Sequence, residues 1–154
     1  MAAIRLPPDF REFLKCLNAA RVEYLLIGGY AVGYHGYPRA TADMDIWVAM
    51  RPDNARRIVR ALRRFGFDVP NLAPELFLAR DKIVRLGKPP LRIEILTTIA
   101  GVRFAKCHAA RVIDRIDGVK VAFINLRNLR SSKKAAGRHK DLDDLEHLPR
   151  PPRA

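Results

Sequence analysis

The chain has 154 residues, 49% of them hydrophobic and 29% charged, a balance that fits one globular domain and excludes a disordered chain. Lys and Arg number 29 against 16 Asp and Glu, and the formal net charge of +13 favours a polyanionic partner, RNA or DNA first, over a cationic one. Cys16 and Cys107 show no metal-ligand spacing, Met1 to Leu14 has no apolar signal core, and the longest apolar stretch, Tyr24 to Tyr34, is short and broken by glycine; buried free thiols, a cytoplasmic setting and no membrane insertion are expected.

Pro8-Asp9 opens a first helix with Phe10, Phe13, Leu14 and Leu17 on one face. Tyr24 to Ile27 reads as a buried strand. Gly28-Gly29 turns the chain into a short helix carrying Ala31, Val32 and Tyr34, and Gly36-Tyr37-Pro38 ends it. Asp43 to Met50 is a second strand, in which period two sets Met44, Ile46 and Val48 against Asp43, Asp45 and Trp47. Arg51-Pro52-Asp53 breaks that strand and caps the next helix. Its core stripe is Ile58, Leu62 and Phe65, its other faces carry Arg56, Arg57, Arg60, Arg63 and Arg64, and Gly66 ends it.

Asn71 to Ala79 is a loop with one helical turn. Lys82 to Leu86 and Leu91 to Leu96 are strands joined by Gly87-Lys88-Pro89-Pro90, and Val102 to Ala109 is a short helix. Arg111 to Ile116 and Val119 to Ile124 form a hairpin around Asp117-Gly118. A helix from about Asn125 to Ala136 stops at Gly137, and a last helix sets Leu142, Leu145 and Leu148 on one apolar face. This irregular alternation with a local hairpin predicts an α+β (α/β-type) fold with a mixed central sheet flanked by helices: one domain over residues 1–148 and a flexible tail over 149–154.

The chemistry concentrates in three carboxylates. Asp is depleted in strands, yet Asp43 and Asp45 alternate with apolar residues in one, so both point to the same face. Glu94 stands between Ile93 and Ile95. Carboxylates held that close repel unless a cation lies between them, and hard oxygen ligands on a rigid strand suit Mg²⁺, which usually arrives with phosphates. The upstream Gly28-Gly29 turn offers bare backbone N–H groups to those phosphates. The reading is a two-metal nucleotidyl-transfer site.

These residues resemble the polymerase-beta-like nucleotidyltransferase superfamily: Ile27-Gly28-Gly29, thirteen residues, Asp43-Met44-Asp45, and Glu94 later. Tyr37-Pro38-Arg39-Ala40-Thr41-Ala42-Asp43 and Pro89-Pro90-Leu91-Arg92-Ile93-Glu94, with Gly101 and Phe104, look like bacterial members. Lys134 to Asp141 is similar to the Lys-x-x-x-Arg-x-Lys-Asp segment of AbiEii-type toxins and of small nucleotidyltransferases with no assigned role. The resemblance covers Tyr24 to Leu148. It departs at Gly29, where many members carry Ser, and at Glu94, where many carry Asp.

The resemblance implies that Asp43, Asp45 and Glu94 hold two Mg²⁺ ions, with Glu94 also orienting or deprotonating the acceptor hydroxyl. It implies that Gly28, Gly29, Arg39 and Thr41 contact the NTP, that Lys134 and Arg138 neutralise triphosphate charge, and that Asp141 orients Arg138 or Lys140. Arg56, Arg60 and Arg63 share a helix face and either track an RNA backbone or form a solvated surface. Tyr30, Tyr34 and Tyr37 either stack a base or pack. The expected function is NMP transfer from an NTP to a hydroxyl, an RNA (tRNA) 3′ end first, within a toxin–antitoxin or phage-defence system that implies an antitoxin partner. Protein NMPylation and an inactive nucleotide- or nucleic-acid-binding module are the alternatives.

Overall fold

The computed structural model describes residues 4–88 and 91–152; Pro89 and Pro90 of the expected strand linker, and Arg153 and Ala154 of the tail, lie outside them. Helix α1 (Pro8–Ala19) has Pro at its start and buries Phe10, Phe13, Leu14 and Leu17. Strand β1 (Tyr24–Ile27) is buried at every position, and helix α2 (Gly28–Tyr34) begins on the next residue. Strand β2 (Asp43–Val48) ends before Met50 because Asn54 takes over the backbone there. The Asn54 amide donates to the Ala49 carbonyl at 2.9 Å and to the Glu23 carbonyl at 3.1 Å, and it accepts from the Glu23 N–H at 2.7 Å.

Helix α3 (Pro52–Phe65) seats Ile58 and Leu62 in the core and closes on Gly66 at φ +104°. The Phe67 N–H reaches back to the Leu62 carbonyl at 2.9 Å, which satisfies a carbonyl the helix end would leave open. After a 3₁₀ turn (Pro74–Phe77) come β3 (Ile83–Lys88), β4 (Leu91–Leu96), helix α4 (Phe104–Ala109), β5 (Val112–Ile116) and β6 (Val119–Phe123). Asp117 and Gly118 join the last two with positive φ values of 50° and 81°, as a tight hairpin turn requires. Helix α5 (Leu126–Ala136), capped by the Asn125 side chain, and helix α6 (His139–His147) complete the chain.

The six strands form one mixed sheet in the order β3-β4-β2-β1-β6-β5. Strands β2 and β4 run parallel, as do β1 and β6; the other neighbours are antiparallel. The parallel β2–β4 pairing is what brings Glu94, distant in sequence, beside Asp45. Among the described residues no helix is long and apolar enough to cross a membrane.

Helix α6 corrects the apolar pattern read from its leucines. Leu142 is 49% exposed, whereas Asp141 and Asp144 are each only 1% exposed. The cause is charge pairing. Arg39, Lys133 and Arg138 converge on these two carboxylates, so the helix turns its acids inward and leaves Leu142 to solvent.

Candidate active site

Register fixes the centre of the site. Asp45 lies opposite Ile27 on β1 and beside Glu94 on β4, and Glu94 in turn lies opposite Arg85 on β3. One row across four strands therefore holds the end of β1, two carboxylates and an arginine. Asp43, two residues earlier, is paired in register with Arg92. All three carboxylates line a cleft of 640 Å³ whose other walls are Gly28-Gly29, the Arg39–Ala42 segment, the Thr98–Ala100 segment and the facing side of α5 and α6.

Gly28 is required by two separate facts. Its φ is +67°, and a Cβ there would overlap the Asp45 carboxylate. A Cβ on Gly29 would lie 2.6 Å from the Thr41 hydroxyl. The turn is thus built so that backbone, not side chain, faces the acids. Gly28→Ala is expected to cost about 1–3 kcal/mol from backbone strain alone and to displace Asp45; a thermal melt in metal-free buffer reads the first effect. An unchanged melt would mean the turn relaxes without strain.

Electrostatically the acids are under-compensated. Burial, then the Glu94 and Asp43 charges, push the Asp45 carboxyl from 3.8 up to about 7, against a smaller opposing pull from Lys140. Asp43 accepts from the Arg92 guanidinium at 3.2 Å and Glu94 from Arg85 at 3.2 Å. Both arginines are partly exposed, with 36% and 55% of their side chains open, so these pairs are screened and contribute little. A half-buried carboxylate flanked by two others, with no strong cation of its own, fits a hard divalent ion. Among the described residues, the acidic group whose ligand atoms already converge within 4.8 Å is instead Asp143, Glu146 and His147 on the exposed side of α6. In the cleft, Asp43 is bonded by Arg92 and Glu94 by Arg85, and Glu94 is also close enough to hydrogen-bond Asp45.

The facing wall carries the basic residues. The Arg39 guanidinium makes two bonds to Asp144, at 2.9 and 3.0 Å, and so ties the segment before β2 to α6. The Arg138 guanidinium holds Asp141 at 2.7 Å, and the Asp141 carboxylate accepts from the Arg138 backbone N–H, closing the first turn of α6. Lys133 is buried and donates to Asp144 at 2.9 Å and Asp141 at 3.3 Å. Lys140 lines the cleft and, among the described residues, forms no ion pair.

The structure therefore gathers Gly28, Gly29, Arg39, Thr41, Asp43, Asp45, Glu94, Arg138 and Asp141 around one cleft. Lys134 is not among the lining residues; it is exposed, and its neighbour Lys133 takes the wall. Asp141 orients Arg138 and Lys133 rather than Lys140. Arg56, Arg60 and Arg63 line no part of the cleft, and Arg63 pairs with Asp68 at 3.4 Å.

Tyr30, Tyr34 and Tyr37 pack against Phe10, Phe123 and His147 respectively, and none lines the cleft. Trp47 is a sheet-face contact, edge-on to Phe104 and donating to the Thr97 carbonyl at 3.2 Å. His35 bonds the Ile124 carbonyl at 2.7 Å outside the cleft. Sequence reasoning missed Lys133, Arg85 and Asp144 as parts of this site. Lys133 could have been found, since it lies four residues after Leu129 and so shares its helix face.

A crystal structure of a nucleotidyltransferase candidate from Thermotoga maritima superimposes with a TM-score of 0.61 at 16% identity, covering 88% of this chain and 87% of that one. The chain has a nucleotidyltransferase fold. An antigenic nucleotidyltransferase-like protein from Paracoccidioides brasiliensis matches with a TM-score of 0.53 at 18% identity, over 94% of this chain and 77% of the other. Sequence comparison finds no matching family model and no matching curated protein. At these identities the likeness is one of fold, and the chemistry rests on the residues themselves.

Proposed function

We propose that this protein transfers a nucleoside monophosphate from an NTP to a hydroxyl group, with an RNA 3′ end as acceptor. The observation that carries the reading is the cross-strand placement of Asp45 beside Glu94, with Asp43 on the same face, over a turn whose glycines let Asp45 and Thr41 pack directly against its backbone. Asp43, Asp45 and Glu94 would hold Mg²⁺. When bound, that ion would neutralise the triphosphate and make the acceptor hydroxyl more acidic.

The protein's own groups do the rest. The Gly28 and Gly29 backbone would face the triphosphate, and Thr41 packs beside Gly29 while its hydroxyl donates to the Asp43 carbonyl. Arg138, Lys133 and Lys140 face the acids and draw negative charge into the cleft as pyrophosphate forms. Glu94, at the rim formed by β3 and β4, orients the acceptor hydroxyl and takes its proton. The oxygen then bonds the α-phosphorus while the bond to pyrophosphate breaks. The net charge of +13 supports a polyanionic acceptor. The resemblance of the Lys134–Asp141 segment to AbiEii-type toxins is the support for a toxin–antitoxin or phage-defence role.

The test is incubation with each α-³²P-labelled NTP, Mg²⁺ and total tRNA, beside an Asp43→Ala/Asp45→Ala control. Label on RNA with the wild type alone is the expected result, and the labelled NTP names the base. Label on protein alone would move the acceptor to a Ser, Thr or Tyr hydroxyl. Equal labelling by the double variant would overturn the carboxylate mechanism.

A further inference from the structure

A second groove, of 520 Å³, adjoins the cleft through Ile99. Thr98, Ile99 and Ala100 line the cleft, while Ile99, Gly101, Val102 and Arg103 line the groove, so one loop is the wall between them. That wall is held down. Gly101 sits at φ +77° with its Cα so close to α5 that a Cβ would fall 2.5 Å from the Ala135 Cβ.

The charge on the two sides differs in kind. In the cleft, which also holds the acids, Arg39, Arg85, Lys133 and Arg138 are each answered by a carboxylate, and among the described residues Lys140 is not. The groove is lined by Arg80, Arg103 and Lys106 and by no acid. All three cations are exposed, and none forms an ion pair among the described residues. Three uncompensated charges on a concave wall attract anions more strongly than the same charges on a convex helix. Asn128 adds a neutral donor beside them, suited to a phosphate oxygen or a ribose hydroxyl.

We propose that this groove carries the phosphate backbone of a single-stranded RNA whose 3′ end crosses Ile99 into the cleft. The proposal rests on the transfer reading above and assigns its acceptor a path. It also separates two basic surfaces: the groove adjoins the acids, whereas Arg56, Arg60 and Arg64 of α3 line neither the cleft nor the groove. A repeating phosphate backbone suits a row of exposed cations. An acidic peptide is the rival occupant, and the test includes it.

The experiment measures binding of a short fluorescein-labelled single-stranded RNA by anisotropy, without NTP, over a salt series. Wild type is compared with Arg80→Ala/Arg103→Ala/Lys106→Ala and with Arg56→Ala/Arg60→Ala/Arg64→Ala. The groove variant is expected to bind roughly tenfold more weakly at low salt. Its log–log salt slope should be shallower by about 2, so a fourfold rise in salt costs it roughly 20-fold less affinity than it costs the wild type. The α3 variant should keep the wild-type slope. These side chains are exposed, and matching melting curves confirm that both variants fold.

Loss confined to the α3 variant, or no loss in either, overturns the proposal. So does displacement of the RNA by polyglutamate at equal charge concentration, which would mark a site for any acidic chain. The two readings fail separately. Groove-dependent RNA binding with transfer that survives Asp43→Ala/Asp45→Ala defeats the mechanism alone. Carboxylate-dependent transfer with unaltered RNA binding by the groove variant defeats the path alone.

Discussion

Replacing Asp45 by asparagine is expected to abolish transfer and, in metal-free buffer at pH 8, to make the protein more stable than the wild type. Both effects come from one side chain. Burial and the neighbouring Glu94 and Asp43 charges hold the Asp45 carboxyl at about 7 in the folded state, against 3.8 for the free group. The folded protein therefore binds this proton more tightly than the unfolded chain does. Well below pH 3.8 the group is neutral in both states and carries no penalty. As pH rises from 4 to 7 the unfolded chain releases the proton first, and the folded state loses stability. Above 7 the penalty is complete, on the order of 2–4 kcal/mol, because each tenfold change in proton affinity between the two states is worth about 1.4 kcal/mol.

Asparagine keeps the volume and removes the charge, so its advantage should be small at pH 4 and largest at pH 8. Melts at the two pH values with EDTA measure it. Added Mg²⁺ should raise the wild-type melting temperature at pH 8, more than at pH 5, and leave the Asn variant unmoved. Transfer should fall by at least about 10³-fold, since the group lies at the centre of the developing charge. An Asn variant less stable than the wild type at pH 8 without metal would show that Lys140 and Arg138 already compensate the carboxylate. This is a stability–activity trade localised to one residue: an acid kept where its charge is disfavoured until a cation arrives.

How much of this was legible in the chain depends on whether local pattern or long-range charge decided the element. The apolar run Tyr24–Ile27 followed by two glycines could form little else than a buried strand and a tight turn, and the strand and helix begin where the pattern puts them. Asp117-Gly118 could close a two-residue hairpin, and it does. Strand alternation gave the shared face of Asp43 and Asp45. The pairing that adds Glu94 was suggested by resemblance, and periodicity alone would not have found it, since it depends on β4 entering the sheet parallel to β2. Lys133 and Lys134 are adjacent and chemically equal, so only helix phase separates the buried one from the exposed one. The leucine spacing held for buried Leu148 and half-buried Leu145 but misled at Leu142, because hydrophobic spacing cannot register that Arg39, far earlier in the chain, presents a guanidinium to the other face of α6.

That same inversion makes Asp144 the most consequential residue outside the acidic row. Its side chain is 1% exposed and accepts from Arg39 twice and from Lys133 once. Burial alone would raise its carboxyl, but the Arg39 and Lys133 bonds outweigh that and leave it below its usual range. Stability from this cluster is present at neutral pH and is lost as pH falls below about 4. Asp144→Ala leaves Lys133 buried with only Asp141 to answer it and frees Arg39, and removing one partner of such a cluster costs about 3 kcal/mol. For a chain of this length that corresponds to a melting temperature lower by roughly 10 °C.

The variant Lys133→Met/Asp144→Leu removes the buried Lys133–Asp144 pair, leaves buried Asp141 to Arg138, and should recover part of that loss. It should not recover function, because Lys133 is part of the cleft wall and Arg39 would no longer be tied to α6. The NTP KM should rise in the double variant while Asp43, Asp45 and Glu94 remain intact. Full recovery of both stability and KM would mean that the cluster only holds α6 in place. Recovery of stability alone would mean that burying two aspartates on the last helix sets the basic wall of the cleft opposite its acids.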